Sequence, residues 1–156
     1  MTTRRRKSSQ RERSAQLQDT VRLSADGLAK VLGHLEARVM RAVWQIGEPA
    51  PVRVIHAEVV RDHSVAVLTV TTVLNKLTAK KLLNRRRRAD LLHYEARLSE
   101  QEFLAEASRR VMEGVLSLAP EAMASSFVDV MAERDPAQLA ELARLIRRRL
   151  EGRTKA

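Results

Sequence analysis

The sequence predicts a mainly α-helical fold with one small β-hairpin, and three observations lead to that prediction. Apolar residues recur at helical spacing along most of the chain from residue 34 to residue 150. Residues 92–98 instead alternate apolar and polar side chains, as a half-buried strand does. Prolines, glycines and capping residues divide the helical pattern into lengths typical of single helices. The 156 residues are enough for one domain, or for a small domain and a dimerisation element.

Composition points to a polyanionic partner. The net charge is +10 and the pI about 11.1. The excess is uneven, because residues 1–26 carry +4, residues 27–98 carry +7 and residues 99–156 carry −1. Aromatic residues make up only 3% of the chain, whereas single-strand and RNA binders depend on aromatic stacking. Duplex DNA is therefore the favoured partner of the first two thirds of the chain.

Several classes of protein are disfavoured. The chain has no cysteine, which excludes disulfides, thiolate metal sites and cysteine nucleophiles. It has no apolar run of the roughly 18 residues that a membrane span needs and no secretory signal, so we expect a cytoplasmic protein. The four histidines lack metal-ligand spacing, and no phosphate loop or nucleophile motif occurs. We expect no metal, no cofactor and no enzymatic activity.

The first two helices follow a polar N-terminal segment. Residues 1–22 have too few apolar side chains to order themselves, so we expect a disordered tail that adds phosphate contacts or only solubility. A helix is predicted from about residue 34 to residue 46, ended by Gly47. After a turn, Pro51 suits the first position of a second helix that reaches about residue 61. Arg53 lies in its first turn, where free N–H groups can help to bind a phosphate.

Residues 67–83 predict the helix that contacts DNA. Its apolar positions form one buried stripe, and the opposite side carries threonine, asparagine and lysine. With the preceding helix and a short connection it makes a helix-turn-helix. The alternative is a solvated helix. The residues predicted to face bases or phosphates are Thr69, Thr71, Thr72, Asn75, Lys76 and Lys80.

A basic β-hairpin is predicted next. Residues 83–86 can pair with residues 92–98, leaving residues 87–90 at the tip. A hairpin after a recognition helix is the wing of a winged helix, and its arginines can grip phosphates. The predicted phosphate contacts are Arg53, Arg85, Arg86, Arg87 and Arg88.

Three amphipathic helices follow, and we expect them to form a dimer. Ser99 begins a capping box, Pro120 starts a second helix, and Asp135 caps a third that begins with Pro136. Fewer than 60 residues with exposed apolar stripes make a poor independent monomer. The predicted dimerisation residues are Leu104, Val111, Val115, Phe127, Leu139, Leu142, Ile146 and Leu150.

The predicted organisation has four parts. Residues 1–27 form a basic extension, residues 28–98 the winged-helix DNA-binding domain, residues 99–152 the helical dimerisation domain and residues 153–156 a tail.

These motifs together resemble the penicillinase-repressor family of winged-helix regulators, which includes β-lactamase, methicillin-resistance and copper-responsive repressors. Residues 32–44 resemble the family's opening helix, residues 52–56 the start of its second helix and residues 69–77 its recognition helix. Tyr94 fits the second strand of the wing, and residues 139–146 resemble the leucine-rich last helix. The match covers roughly residues 28–150.

The resemblance implies a homodimeric repressor that binds palindromic operators. In β-lactamase regulation such repressors are cleaved after a membrane sensor detects antibiotic, and the corresponding bond here is Ser126–Phe127. The phenylalanine matches, but the family has an asparagine where Ser126 stands. The copper-responsive branch uses cysteines, which this chain lacks. The family also tends to have glycine at Lys81 and at the wing tip, which reads Ala89-Asp90 here.

Two other functions fit the same residues. A non-specific nucleoid or architectural protein would use the basic tail and the wing arginines without reading sequence. A protein-interaction module would use the wing on another protein, although the +7 charge of residues 27–98 disfavours it.

Overall fold

The computed structural model describes Leu28 and residues 31–154, so the whole predicted N-terminal extension, residues 1–27, lies outside the described residues. The described chain is mostly helical with one small antiparallel sheet, which confirms the predicted fold class. No described helix is both long and apolar enough to cross a membrane. The elements are α1 (His34–Ile46), β1 (Ala50–Pro51), α2 (Val52–Val59), α3 (Val67–Ala79), β2 (Leu83–Arg88), β3 (Leu91–Ala96), α4 (Glu100–Leu116), α5 (Pro120–Arg134) and α6 (Pro136–Thr154).

The apolar stripes of α1, α2 and α3 meet in one core, as their helical spacing predicts. Its largest fully buried side chains include Met40, Leu77 and Tyr94. The start of α4 joins this core, where the Phe103 ring lies 5.6 Å from that of Trp44, centroid to centroid. Trp44 also donates its indole N–H to the Leu98 carbonyl at 2.8 Å. The core therefore fixes the position of α3 from all sides except its outer face.

The sheet has the order β1-β3-β2, with every pair antiparallel. The predicted hairpin is present, but β2 extends two residues beyond the predicted residues 83–86, and β3 begins at Leu91 and ends at Ala96, before the predicted end at residue 98. Only Ala89 and Asp90 form the turn. Both have positive φ, 45° and 64°, as in the two-residue turns whose twist matches that of the strands. The residues of strand β1 were predicted to belong to a turn, with Pro51 at the first position of the next helix, but Pro51 is the N-cap and α2 begins at Val52. Two residues are too few to show alternation, and the second is a proline, which only an edge strand accepts.

Helix α3 ends in a Schellman motif. The Leu82 N–H donates to the Leu77 carbonyl at 2.9 Å, and the Lys81 N–H donates to the Thr78 carbonyl at 3.0 Å. Lys81 takes the left-handed conformation that this motif requires, with φ 59°. The buried side chains of Leu77 and Leu82 complete it. A lysine therefore stands at a position where the backbone favours glycine.

Replacing that lysine should stabilise the protein. We expect Lys81→Gly to raise the free energy of unfolding by about 1 kcal/mol, because glycine has no Cβ to oppose a left-handed φ. Urea denaturation of both proteins measures the difference. Lys76→Gly is the matched control, since Lys76 is exposed but helical, and should lower stability by about 1 kcal/mol. Equal losses in both variants would contradict the strain assigned to Lys81.

The described residues fall into two compact units that divide between Arg109 and Arg110. This division lies beyond the predicted boundary at residues 98 and 99, because Phe103 and Ala107 are buried in the first core. In the second unit α5 and α6 pack against each other, yet neither contains a buried residue.

The predicted helix starts in this part of the chain are present. Ser99 and Glu102 form the capping box: the Ser99 N–H and hydroxyl donate to the Glu102 carboxylate at 2.8 and 2.9 Å, and hold its pKa below the usual value. Asp135 caps α6 by accepting the Gln138 N–H at 3.0 Å.

Candidate nucleic-acid interface

The outer face of α3 is polar and largely uncovered. Thr69, Thr72, Asn75 and Lys76 are exposed, whereas the apolar residues between them are buried, namely Val70, Val73 and Leu74. This alternation around the helix follows from its 3.6-residue period, which turns one face to the core and the other to solvent. Thr69 and Lys76 make no side-chain hydrogen bond to any described residue. The face is thus free to contact a ligand.

Two threonine hydroxyls on α3 already donate to the backbone. Thr71 Oγ1 donates to the Val67 carbonyl at 2.9 Å, and Thr72 Oγ1 donates to the Leu68 carbonyl at 3.0 Å. Such bonds to the preceding turn are common for helical threonines. Each hydroxyl keeps its lone pairs as acceptors. Thr71 is half-buried, so among the predicted residues it is less accessible than Thr72.

Asn75 joins α3 to both strands of the hairpin. Its Oδ1 accepts the Tyr94 hydroxyl at 3.3 Å and an Arg85 guanidinium N–H at 3.1 Å. These two bonds use both lone pairs of the amide oxygen, which leaves the Nδ2 donors for other partners. The sequence predicts Asn75 and Arg85 as separate contacts, one on the helix and one on the wing. The structure brings them together.

Lys80 lies against α1 instead of projecting freely. Its ammonium contacts both carboxylate oxygens of Glu36, at 2.7 and 2.9 Å, and the Gly33 N–H donates to the same carboxylate at 3.0 Å. Burial alone would raise the pKa of Glu36, but the hydrogen bonds from Lys80 and Gly33 and the charges of Lys80 and Lys76 outweigh it, so the pKa is lowered. Lys80 thus ties the end of α3 to the start of α1.

The four wing arginines divide between the two faces of the hairpin. Arg85 is opposite Tyr94 and Arg87 opposite Leu92, so these two share the face that turns to the core. Arg86 and Arg88, opposite His93 and Leu91, lie on the other face. All four are exposed. Arg86 lies 3.4 Å from Glu95, Arg87 lies 3.4 Å from Asp90, and Arg88 forms no ion pair with any described residue.

The helix-turn-helix connection is held by a histidine. The His56 Nε2 donates to the Val65 carbonyl at 2.8 Å, which joins α2 to the residues just before α3. Arg53 is exposed in the first turn of α2, as predicted. Its role as a phosphate contact stays a prediction. Among the described residues no three histidines or carboxylates lie close enough to hold a metal ion.

The predicted dimerisation residues lie on α4, α5 and α6, and none of them is buried. Leu104, Phe127, Ile146 and Leu150 are exposed, and Val111, Val115, Leu139 and Leu142 are half-buried. The Ser126–Phe127 bond lies in the middle of α5. A protease needs an extended strand of substrate, so cleavage there would require local unwinding of this helix.

Two features of this surface were missed from the sequence. Nothing in the local sequence distinguishes Glu36 from the other acidic residues, because its partner Lys80 is 44 residues away. Leu68 is 77% exposed on the outer side of α3, although it is apolar. The exposure of Leu68 could have been predicted from its position, because Leu68 does not fall on the helix face that carries the buried residues Val70, Val73 and Leu77.

Comparison with known proteins agrees with this architecture. The family model described as penicillinase repressor matches residues 32–148, which includes the whole helix-turn-helix, the hairpin and most of α6. No curated protein matches the chain.

Proposed function

The chain belongs to the penicillinase repressor family, and from that premise we propose that it is a homodimeric, sequence-specific repressor acting on a palindromic operator. The single observation that carries the proposal is the exposed polar face of α3 beside four exposed arginines. Residues in the major groove specify sequence, and contacts to phosphates fix the register. We also propose a cytoplasmic location, no cofactor and no enzymatic activity.

In this proposal, different residues recognise the base sequence and bind the phosphates. Thr69, Thr72 and Lys76 face the base edges, and the Nδ2 amide of Asn75 donates to acceptors in the groove. The wing arginines and Arg53 bind phosphates. We call the outer surface of α3 formed by Thr69, Thr72, Asn75 and Lys76 the reading face. The Asn75–Arg85 hydrogen bond supports this arrangement, because it joins the wing to that face. Thr71 and Lys80 contribute less, since one is half-buried and the other is paired with Glu36.

Dimerisation is supported by the uncovered apolar side chains of α5 and α6. Neither helix buries a residue in the single chain, so their apolar faces gain from a second copy. Two winged helices related by a two-fold axis would meet two half-sites of a palindrome. Sedimentation equilibrium of the full chain tests this step, and a monomer at micromolar concentration would contradict it.

Release from DNA is proposed to follow the family's proteolytic route, with a membrane sensor or protease as partner and Ser126–Phe127 as the bond cut. Phe127 at this position supports the proposal. Incubation with a sensor protease of the family should give two fragments of predictable mass, whereas Phe127→Ala should resist cleavage.

Selection from a random duplex pool tests the proposed function. We expect enrichment of an inverted repeat whose half-sites are one helical turn or a multiple apart, because the two reading helices of a dimer are related by symmetry. A pool that gains no common motif after several rounds would contradict sequence-specific repression.

Thr72 gives a separate prediction. Thr72→Ala should reduce discrimination between the selected site and sites with one base changed by about 1 kcal/mol, at the low end of the range for a base contact, because its hydroxyl donor is already bonded. Competition binding measures the ratio. Thr78→Ala is the matched control, since Thr78 makes the same bond to Leu74 but is not on the reading face. An equal loss in both variants would assign the effect to the helix and not to the contact.

A further inference from the structure

Leu68 is the least explained side chain of the first unit. It is 77% exposed, although leucine on a helix with an available core is usually turned inward. The buried stripe of α3 begins at Val70, so Leu68 has no structural role in the core. An exposed leucine at this position contributes little to the stability of the single chain.

The surroundings of Leu68 point to DNA as its partner. Leu68 and three of the proposed base-contacting residues, Thr69, Thr72 and Lys76, line one side of a surface depression whose other side is the start of α1, residues 33–36. Leu68 lies one helical turn before Thr72 on the same side of α3. The net charge of +7 on residues 27–98 favours a polyanion on this surface over an apolar protein face.

The chemistry near Leu68 is poor in hydroxyl donors. Thr71 and Thr72 both direct their hydroxyl protons to carbonyls of the preceding turn, including that of Leu68 itself. Apart from the Thr69 hydroxyl, which makes no hydrogen bond to a described residue, the first two turns of the outer face therefore offer carbon atoms and acceptor lone pairs. The apolar group that a base pair presents in the major groove is the C5-methyl of thymine.

From these observations, and resting on the proposed function, we propose that Leu68 determines specificity by packing its side chain against thymine C5-methyl groups in each half-site. It adds an apolar contact to a surface that otherwise reads by hydrogen bonds. The operator should then contain a thymine at a fixed position in both half-sites.

Uracil substitution tests this contact atom by atom. The duplex is the best sequence enriched from the random pool, and each thymine is replaced in turn by deoxyuridine, which removes only the methyl group. With the full-length chain, uracil at the contacted position should weaken binding about fourfold, the value expected for burying one methyl group. Leu68→Ala should bind the thymine and uracil duplexes equally, and should fold normally because Leu68 is exposed.

Leu118→Ala is the control, since Leu118 is 83% exposed and lies outside α3. It should leave the thymine-to-uracil ratio unchanged, whatever its effect on overall affinity. The inference would be overturned if no thymine mattered, if the ratio persisted in Leu68→Ala, or if Leu68→Ala changed self-association and not the ratio. If a site is enriched but one of these three results is found, only the inference about Leu68 fails and the proposed function still holds. If no site is enriched, both the inference and the proposed function fail.

Discussion

Replacing Arg86, Arg87 and Arg88 together with alanine is expected to weaken binding to all duplex DNA roughly 100-fold at moderate salt, at about 1 kcal/mol for each exposed charged contact. The three side chains are exposed on both faces of the hairpin, where they can follow a phosphate backbone. Arg85 is left in place because it holds Asn75. The plot of log affinity against log salt should lose about 0.9 of its slope for each phosphate contact removed.

The last helix provides a matched control for that triple variant. Arg147, Arg148 and Arg149 are also consecutive and exposed, so their replacement by alanine removes the same charge from α6. We expect a much smaller change in affinity and salt slope, and no change in discrimination between sequences from either triple variant. Equal losses of affinity in the two variants would mean that DNA binding depends on the net charge of the protein and not on the arginines of the wing.

Glu36→Gln is expected to destabilise the protein by about 2 kcal/mol at neutral pH, since it removes the charge that holds a largely buried ammonium group. Glu36 is 9% exposed and binds Lys80 through both carboxylate oxygens. Loss of this pair frees the end of α3 from the start of α1. Chemical denaturation measures the free energy of unfolding.

The pH dependence of that difference identifies its origin. The pKa of Glu36 is lowered in the folded protein, so its contribution is complete above the unfolded pKa, about 4.3, and is lost as the pH falls through the folded pKa. The difference between Glu36→Gln and the parent should therefore shrink below about pH 4. Glu58→Gln is the control, because Glu58 forms an exposed pair with Arg61 and should cost about 0.3 kcal/mol. A pH-independent difference would contradict an ionic role for Glu36.

The helices could be predicted from the sequence because their signals are local. Gly47 ends α1 with φ 73°, and the Ser99 capping box and the Asp135 cap begin α4 and α6 where expected. Periodicity alone also separated the buried face of α3 from its outer face. Propensity and capping act within a few residues, so a single sequence contains enough information for them.

The remaining features depend on contacts between distant residues. Strand β1 forms only because Ala50 pairs with Tyr94, and Lys80 is withdrawn from the reading face only because Glu36 is opposite it. The hydrogen bonds from Tyr94 and Arg85 to Asn75 also join residues that are far apart in the sequence. No local pattern encodes these pairs. The left-handed Lys81 was foreseen only as a departure from the glycine common in related proteins.

Competition between the selected duplex and a shuffled duplex of the same composition, at physiological salt, tests sequence-specific repression most directly. A reader of base edges is expected to prefer its own site by about 1,000-fold or more, whereas phosphate contacts alone treat both duplexes alike. We expect a ratio of dissociation constants of at least about 1,000 for the full-length dimer. A ratio near one would contradict the assignment of α3 as a reading helix and would favour a non-specific architectural protein.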